Sequence, residues 1–162
     1  MKKGTIRVIY GPGNGKSASA VGYGLINGLR NKKVIIVQFL KGILEESGKD
    51  LLKRLEPEIK VFRFERSRGF FEDLPEEQKE EEIFNLKNGF NFARKVMTTG
   101  ECDLLILDEV LGLVDRGVIS KEEFVHFLES ADGEMDLIMT GRVCPEEIKK
   151  YADYISYVEN IR

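Results

Sequence analysis

Between Val8 and Leu25 the chain reads VIYGPGNGKSASAVGYGL, and Gly11, Gly13, Asn14, Gly15, Lys16, Ser17 and Ala18 make a glycine turn that closes on a lysine and a hydroxyl. That composition suits polyanion binding. Backbone N–H groups of the Gly11–Lys16 turn can point at phosphate oxygens, the following helix N-terminus adds partial positive charge, and Lys16 adds a full one. Ser17 is placed to ligate Mg²⁺. The usual nucleotide cradle is G-x-x-x-x-G-K-[ST]. Here Gly15 is the glycine of the Gly-Lys pair and Tyr10 stands where the first glycine belongs, so the extra glycines lie inside the loop. A glycine turn without a nucleotide is the alternative reading, but G-N-G-K-S between a strand and a helix favours nucleotide binding.

The remaining candidates follow from position. In an open α/β sheet, ligands sit at the carboxyl ends of the strands. Residues that end or follow an apolar run are Gln38 and Lys41, Asp108 and Glu109, and Thr140 and Arg142. LLIL followed by Asp-Glu is a Walker B-type strand end, where Asp108 and Glu109 can hold Mg²⁺ near the Ser17 hydroxyl. Capping of the EVLGLVD segment is the competing role for Asp108. Arg142 is assigned to phosphate, with a plain surface arginine as its alternative. The single histidine, His126 in EEFVHFLES, faces water if Phe124, Phe127 and Leu128 form the apolar face. No Ser/His/Asp or Cys/His arrangement can be assembled, so in an enzyme the nucleophile would come from a substrate or cofactor, with the protein supplying position and charge.

The elements that must position these residues are legible as alternating runs. Strands are predicted at Ile6–Tyr10, Val34–Phe39, Val61–Arg66, Cys102–Glu109, Met135–Gly141 and Asp153–Asn160, the third nearer an edge and the last at one. Helices are predicted at Ser17–Leu29, Glu46–Leu55, Pro75–Met97, Lys121–Ser130 and Pro145–Tyr151, and the loop around Ser67–Pro75 is expected to be disordered. The pattern is an α/β fold: an open, mostly parallel sheet of five to six strands with helices on both faces, in one domain over residues 1–162.

Composition narrows the function. The 162 residues carry a formal net charge of −3 with no basic run, which argues against a nucleic-acid partner. No apolar run approaches the roughly 20 residues of a membrane span, and MKKGTIRVIYGPG lacks a signal-peptide pattern, so the expectation is a cytoplasmic protein without a membrane partner. Cys102 and Cys144 form no C-x-x-C pair and are assigned neither metal nor disulfide.

These residues resemble the ATP:corrinoid adenosyltransferases, whose phosphate loop reads approximately G-N-G-K-G-K-[ST]-T-A-A. Laid without gaps, that loop falls on Gly11 to Ala20 and matches Gly11, Gly13, Gly15, Lys16, Ser17 and Ala20. QFLKG (Gln38–Gly42), LILDEVLGLVDRGVIS and TGRVCPEEIKKYAD are similar to three further elements of the family in the same order. The resemblance implies a P-loop NTPase (RecA-like) architecture and transfer of the 5′-deoxyadenosyl group of ATP to the Co(I) of a corrinoid, releasing triphosphate. It implies ATP and Mg²⁺ at Gly11, Gly13, Asn14, Gly15, Lys16, Ser17, Ala18, Gln38, Lys41 and Arg142, the metal on Ser17, Asp108 and Glu109, and catalytic roles for Lys16 and Glu109. Phe70, in GFFE, falls on the family's G-F-x-W segment and is expected to shield the corrin, with packing under the loop as the other reading for Phe70 and Phe71. Asn14 stands where the family has a lysine, Ala18 where it has a second hydroxyl, and Glu72 where it has the tryptophan. A flavoprotein reductant and a homodimer are expected as partners. A diverged ATP-binding protein without transferase activity and a nucleoside-kinase-like phosphotransferase remain the alternative readings.

Overall fold

The computed structural model describes residues 3–131 and 133–162. Its strands are β1 (Ile6–Tyr10), β2 (Val34–Gln38), β3 (Ile59–Arg63), β4 (Leu104–Asp108), β5 (Asp136–Gly141) and β6 (Tyr154–Tyr157). They form one six-stranded sheet in the order β3-β2-β4-β5-β1-β6, with every pairing parallel. The edges are β3 and β6, as the sequence predicts. One strand, β5, lies between the strand that delivers the glycine turn and the strand that ends in Asp108. All six carboxyl ends therefore open on the same side.

Successive residues of a strand point to opposite faces, and the core divides accordingly. Ile6, Val8, Ile35, Val37, Leu105, Leu107, Leu137 and Met139 belong to one apolar cluster; Ile9, Val34, Ile36, Ile59, Leu104, Ile106 and Ile138 belong to the other. The first face is covered by α3 (Glu76–Thr99), α4 (Leu111–Asp115), α5 (Lys121–Glu129) and α6 (Glu146–Lys149). Leu86, Phe90, Ala93, Val96 and Met97 form the buried stripe of α3, and Phe90 stacks on Phe124 at 5.7 Å. Each of these side chains larger than alanine contributes about 1.5–3 kcal/mol on burial. The opposite face takes α1 (Lys16–Leu29), which approaches closely because Gly24 has no Cβ: one there would stand 3.1 Å from the Ile106 side chain. A shorter helix, α2 (Glu46–Lys53), lies beside β3.

Several boundaries differ from the sequence reading, and each difference has a cause. β3 ends at Arg63 rather than Arg66, because Glu65 turns inward to bind the loop after β2. β4 ends at Asp108, since Glu109 takes a left-handed φ of 64° and α4 begins two residues later. β6 ends at Tyr157, because Val158–Asn160 cross to the glycine turn. The Ser67–Pro75 loop, expected to be disordered, contains a 3-10 turn at Phe71–Asp73 and is anchored by Glu72 on Arg116 at 2.6 Å. No helix among the described residues is long and apolar enough to cross a membrane.

Candidate functional site

The glycine turn joins β1 to α1, and its glycines do two different jobs. Gly15 precedes the helix with φ 101°, and a Cβ there would meet nothing within 4 Å, so the requirement is conformational. At Gly11, with φ 133°, the requirement is also spatial, and at Gly13 it is spatial alone. A Cβ on Gly11 would stand 2.2 Å from the Val158 carbonyl oxygen, and one on Gly13 2.7 Å from Glu159 Cα. The unusual spacing makes room for the segment after β6.

That segment corrects one expectation. The N–H groups of Gly11, Gly13 and Asn14 are not free for phosphate: Gly11 donates to Gly141 O of β5 (3.1 Å), and Gly13 and Asn14 donate to Val158 O (2.9 Å) and Asn160 Oδ1 (3.1 Å) of the segment after β6. The turn is buttressed by protein acceptors on that flank. The N–H groups of Gly15, Lys16, Ser17 and Ala18 have no acceptor among the described residues, and three of them belong to the first turn of α1. These four amides are the part of the loop that is free to receive an anion. The Lys16 ammonium donates to its own loop, at Gly13 O (2.5 Å).

The centre of the site is Asp108, which is completely buried. Its Oδ1 accepts from the hydroxyls of Ser17 and Thr140, each at 2.8 Å, and its Oδ2 accepts from Gln38 Nε2 at 3.2 Å. Lys41 Nζ lies 3.4 Å from Oδ2 and donates to Ser17 Oγ at 3.1 Å. A buried carboxylate persists because its charge is paired and its lone pairs are used. The helix-cap reading of Asp108 does not hold, since α4 has no side-chain cap. Thr140, from the inserted strand β5, also accepts from the Glu109 N–H at 2.8 Å and so ties the two acidic positions together.

Three residues that sequence reasoning missed support this centre. Arg63, at the end of β3, donates from Nε to Gln38 Oε1 (2.8 Å), which leaves the other end of that amide to donate to Asp108. Burial pulls the Arg63 guanidinium below its ordinary value, against the charges of Glu65 and Asp108. Glu65 accepts from the N–H of Leu40 at 2.5 Å, Lys41 at 3.4 Å and Gly42 at 3.3 Å. Burial raises its carboxyl above the usual range, although those amide bonds oppose the shift. Asn160 holds the turn as described. For Arg63 and Glu65 the available signal was an ionic residue alternating with aromatics in VFRFER.

Ser17, Lys41, Gln38 and Asp108 are thus brought into contact, with Gly11–Ala18 beside them. The side chains of the other candidates are not joined to the cluster. Glu109 is half-buried, its Oε1 beside Gly112. Arg142 is exposed and makes no hydrogen bond or ion pair among the described residues. Phe70 is 75% exposed, whereas Phe71 packs on the main core, so the packing reading holds for Phe71 and not for Phe70. His126 is exposed, as expected.

The oxygens of Ser17 and Asp108 are hard donors suited to Mg²⁺. Among the described residues no group of three or more His, Cys, Asp or Glu could form an all-protein cage. The donor set fits an ion held by one or two side chains with phosphate and water completing its shell.

Residues 2–162 match the family described as ATP:corrinoid adenosyltransferase BtuR/CobO/CobP. The corrinoid adenosyltransferase of Escherichia coli (strain K12) is 27% identical over 161 residues, spanning 99% of this chain and 79% of that protein. That of Salmonella typhimurium (strain LT2) is 26% identical over the same shares of the two chains. In fold, the chain is similar to a KaiC-like protein from Pyrococcus horikoshii OT3, with a TM-score of 0.56 and 16% identity over 98% of this chain and 75% of that one. The all-parallel sheet, with the glycine loop joining β1 to α1 and helices on both faces, is the open α/β fold that the sequence predicts.

Proposed function

The chain belongs to the ATP:corrinoid adenosyltransferase family, and from that premise we propose that it transfers the 5′-deoxyadenosyl group of ATP to the Co(I) of a corrinoid and releases triphosphate. The observation that carries this reading is the convergence of Ser17, Lys41, Gln38 and Thr140 on one buried carboxylate, Asp108, beside four uncommitted amides at the start of α1.

The leaving group is a polyanion, so the protein's task is to hold and neutralise it. The amides of Gly15–Ala18 receive phosphate oxygens without reorganising, and Lys16 can turn from Gly13 O to an incoming phosphate. Lys41 supplies a second cation within reach of the Ser17 hydroxyl, in a chain whose loop has Asn14 where the family has a lysine. Ser17 would hold Mg²⁺ directly and Asp108, whose oxygens are already engaged, through water, with Glu109 near enough in sequence to take a further water-mediated place; when bound, the ion adds positive charge on the phosphate oxygens. The electron pair that forms the cobalt–carbon bond comes from Co(I), the C5′–O bond breaks, and its pair leaves with triphosphate. No protein nucleophile is needed.

Phe70 is the residue we assign to the corrin. Its exposed ring stands on a loop fixed to α4 through Glu72 and Arg116, and it can exclude water from one face of the reduced metal. Arg142 is proposed as a phosphate contact made on binding. A flavoprotein reductant, a homodimer and a cytoplasmic setting complete the reading. The test is product identity: protein, ATP, Mg²⁺ and reduced corrinoid should yield triphosphate stoichiometric with the alkylated corrinoid. ADP formed only when a nucleoside acceptor is added, with the corrinoid left unalkylated, would favour the phosphotransferase alternative instead.

A further inference from the structure

Among the described residues, Glu65 is the acid in contact with the site that the proposed mechanism leaves without a role. It lies just past the end of β3, 8% exposed, and its two oxygens receive three successive backbone N–H groups, those of Leu40, Lys41 and Gly42. Successive amides turned toward one point make an anion-binding concavity. Here the anion is the chain's own carboxylate.

The turn it binds is not one the backbone would adopt unaided. Leu40 has φ 60°, a left-handed value that a branched side chain rarely takes, and Gly42 follows with φ 68°. Glu65 holds this turn from one side, and the Ile43 N–H, donating to Ser67 O at 3.1 Å, holds its exit. The segment carrying Glu65 is itself fixed by the buried Glu82, which accepts from the Arg66 N–H (3.1 Å) and from Asn85 Nδ2 (2.8 Å). At the centre of the turn is Lys41. A flexible four-carbon stem reaches a defined point only if its Cα is defined, and this one reaches Ser17 Oγ and Asp108 Oδ2.

We propose that Glu65 is a positioning residue for the transfer: its carboxylate clamps the Leu40–Gly42 turn and thereby holds the Lys41 ammonium between Ser17 and Asp108. The proposal rests on the nucleotide-site reading above for its relevance to catalysis. The clamp itself is geometric. Glu65 acts on the polyanion only through Lys41, so its removal should matter only while Lys41 is present.

Two measurements test this on the full chain. The first is the rate at which an amine-acylating reagent labels Lys41, followed by peptide mass spectrometry, in wild type, Glu65→Gln and Glu65→Asp, with the exposed Lys121 as the internal control. Lys41 should label at least about threefold faster in both variants while Lys121 is unchanged. Glu65→Asp keeps the charge but shortens the reach, so it serves if Glu65→Gln does not fold. The second is ATP affinity by calorimetry: Glu65→Gln should weaken it about fivefold alone, yet change it less than about twofold when added to Lys41→Ala. Unchanged Lys41 labelling in the folded variants, or a Glu65→Gln loss that persists in full in the Lys41→Ala background, would overturn the proposal. Labelling needs no nucleotide, so a wild type that failed to bind ATP would count against the function of the site and leave the labelling to decide the clamp.

Discussion

Gly13→Ala tests why the loop has its glycine spacing. A Cβ at this position would lie 2.7, 2.8 and 2.9 Å from the Cα, C and N of Glu159, all backbone atoms that cannot rotate away. The segment after β6 must move, and two hydrogen bonds move with it: Gly13 N–H to Val158 O at 2.9 Å and Asn14 N–H to Asn160 Oδ1 at 3.1 Å. At about 1 kcal/mol each, their loss comes to about 2 kcal/mol, or a fall of about 4–8 °C in Tm for a chain of this size. Scanning calorimetry reads this directly. The decisive control is the same substitution in a chain shortened to end at Val158, where the obstructing atoms are gone and the cost should shrink to about 0.5 kcal/mol or less. Gly15→Ala, whose penalty comes from φ 101° alone, should cost about 1–2 kcal/mol in both backgrounds. If Gly13→Ala costs the same in the shortened chain, crossing by the C-terminal segment is not the reason for the glycine.

Asp108→Asn removes the charge opposite Lys41 at a completely buried position, so it should lower stability by about 2 kcal/mol as well as nucleotide affinity, seen as a reduced urea midpoint with an unchanged slope. Phe70→Ala should leave Tm within about 2 °C and ATP affinity within about twofold, while corrinoid adenosylation falls about tenfold, equivalent to roughly 1.4 kcal/mol. Burial pushes the Cys102 thiol up to about 12 and the Cys144 thiol up to about 11, from an ordinary value of 9.0. Keeping them protonated contributes stability that is complete below pH 9.0 and lost as pH rises through about 11 and 12; a double Cys→Ala variant should show a flatter alkaline limb in urea titrations.

What was legible in the chain was whatever local order determines. IRVIY followed by a glycine turn, and LLILD with its acid at the end, specify a strand and a carboxyl-end position without distant partners, and both stand where expected. What was illegible depended on contacts between remote segments. Asn160 reaches Asn14 across 146 positions, and no local pattern marks it. Glu65 sat in an alternating run that continues as strand on paper, whereas its partners are the amides of a turn 23 to 25 positions away. Lys16 drew attention by motif, yet the cation in contact with Asp108 is Lys41, whose place is set by the turn that Glu65 holds.

The most direct test of the central claim is spectroscopic. Purified protein, ATP and Mg²⁺ are mixed with chemically reduced cobalamin under anaerobic conditions, and the visible spectrum is followed for loss of Co(I) and formation of the cobalt–carbon bond, with Lys16→Ala in parallel. Conversion by the wild type, with little or none by the variant, is the expected result. A wild type that binds ATP but leaves the Co(I) spectrum unchanged would contradict the proposed reaction and favour a nucleotide-binding protein without transferase activity.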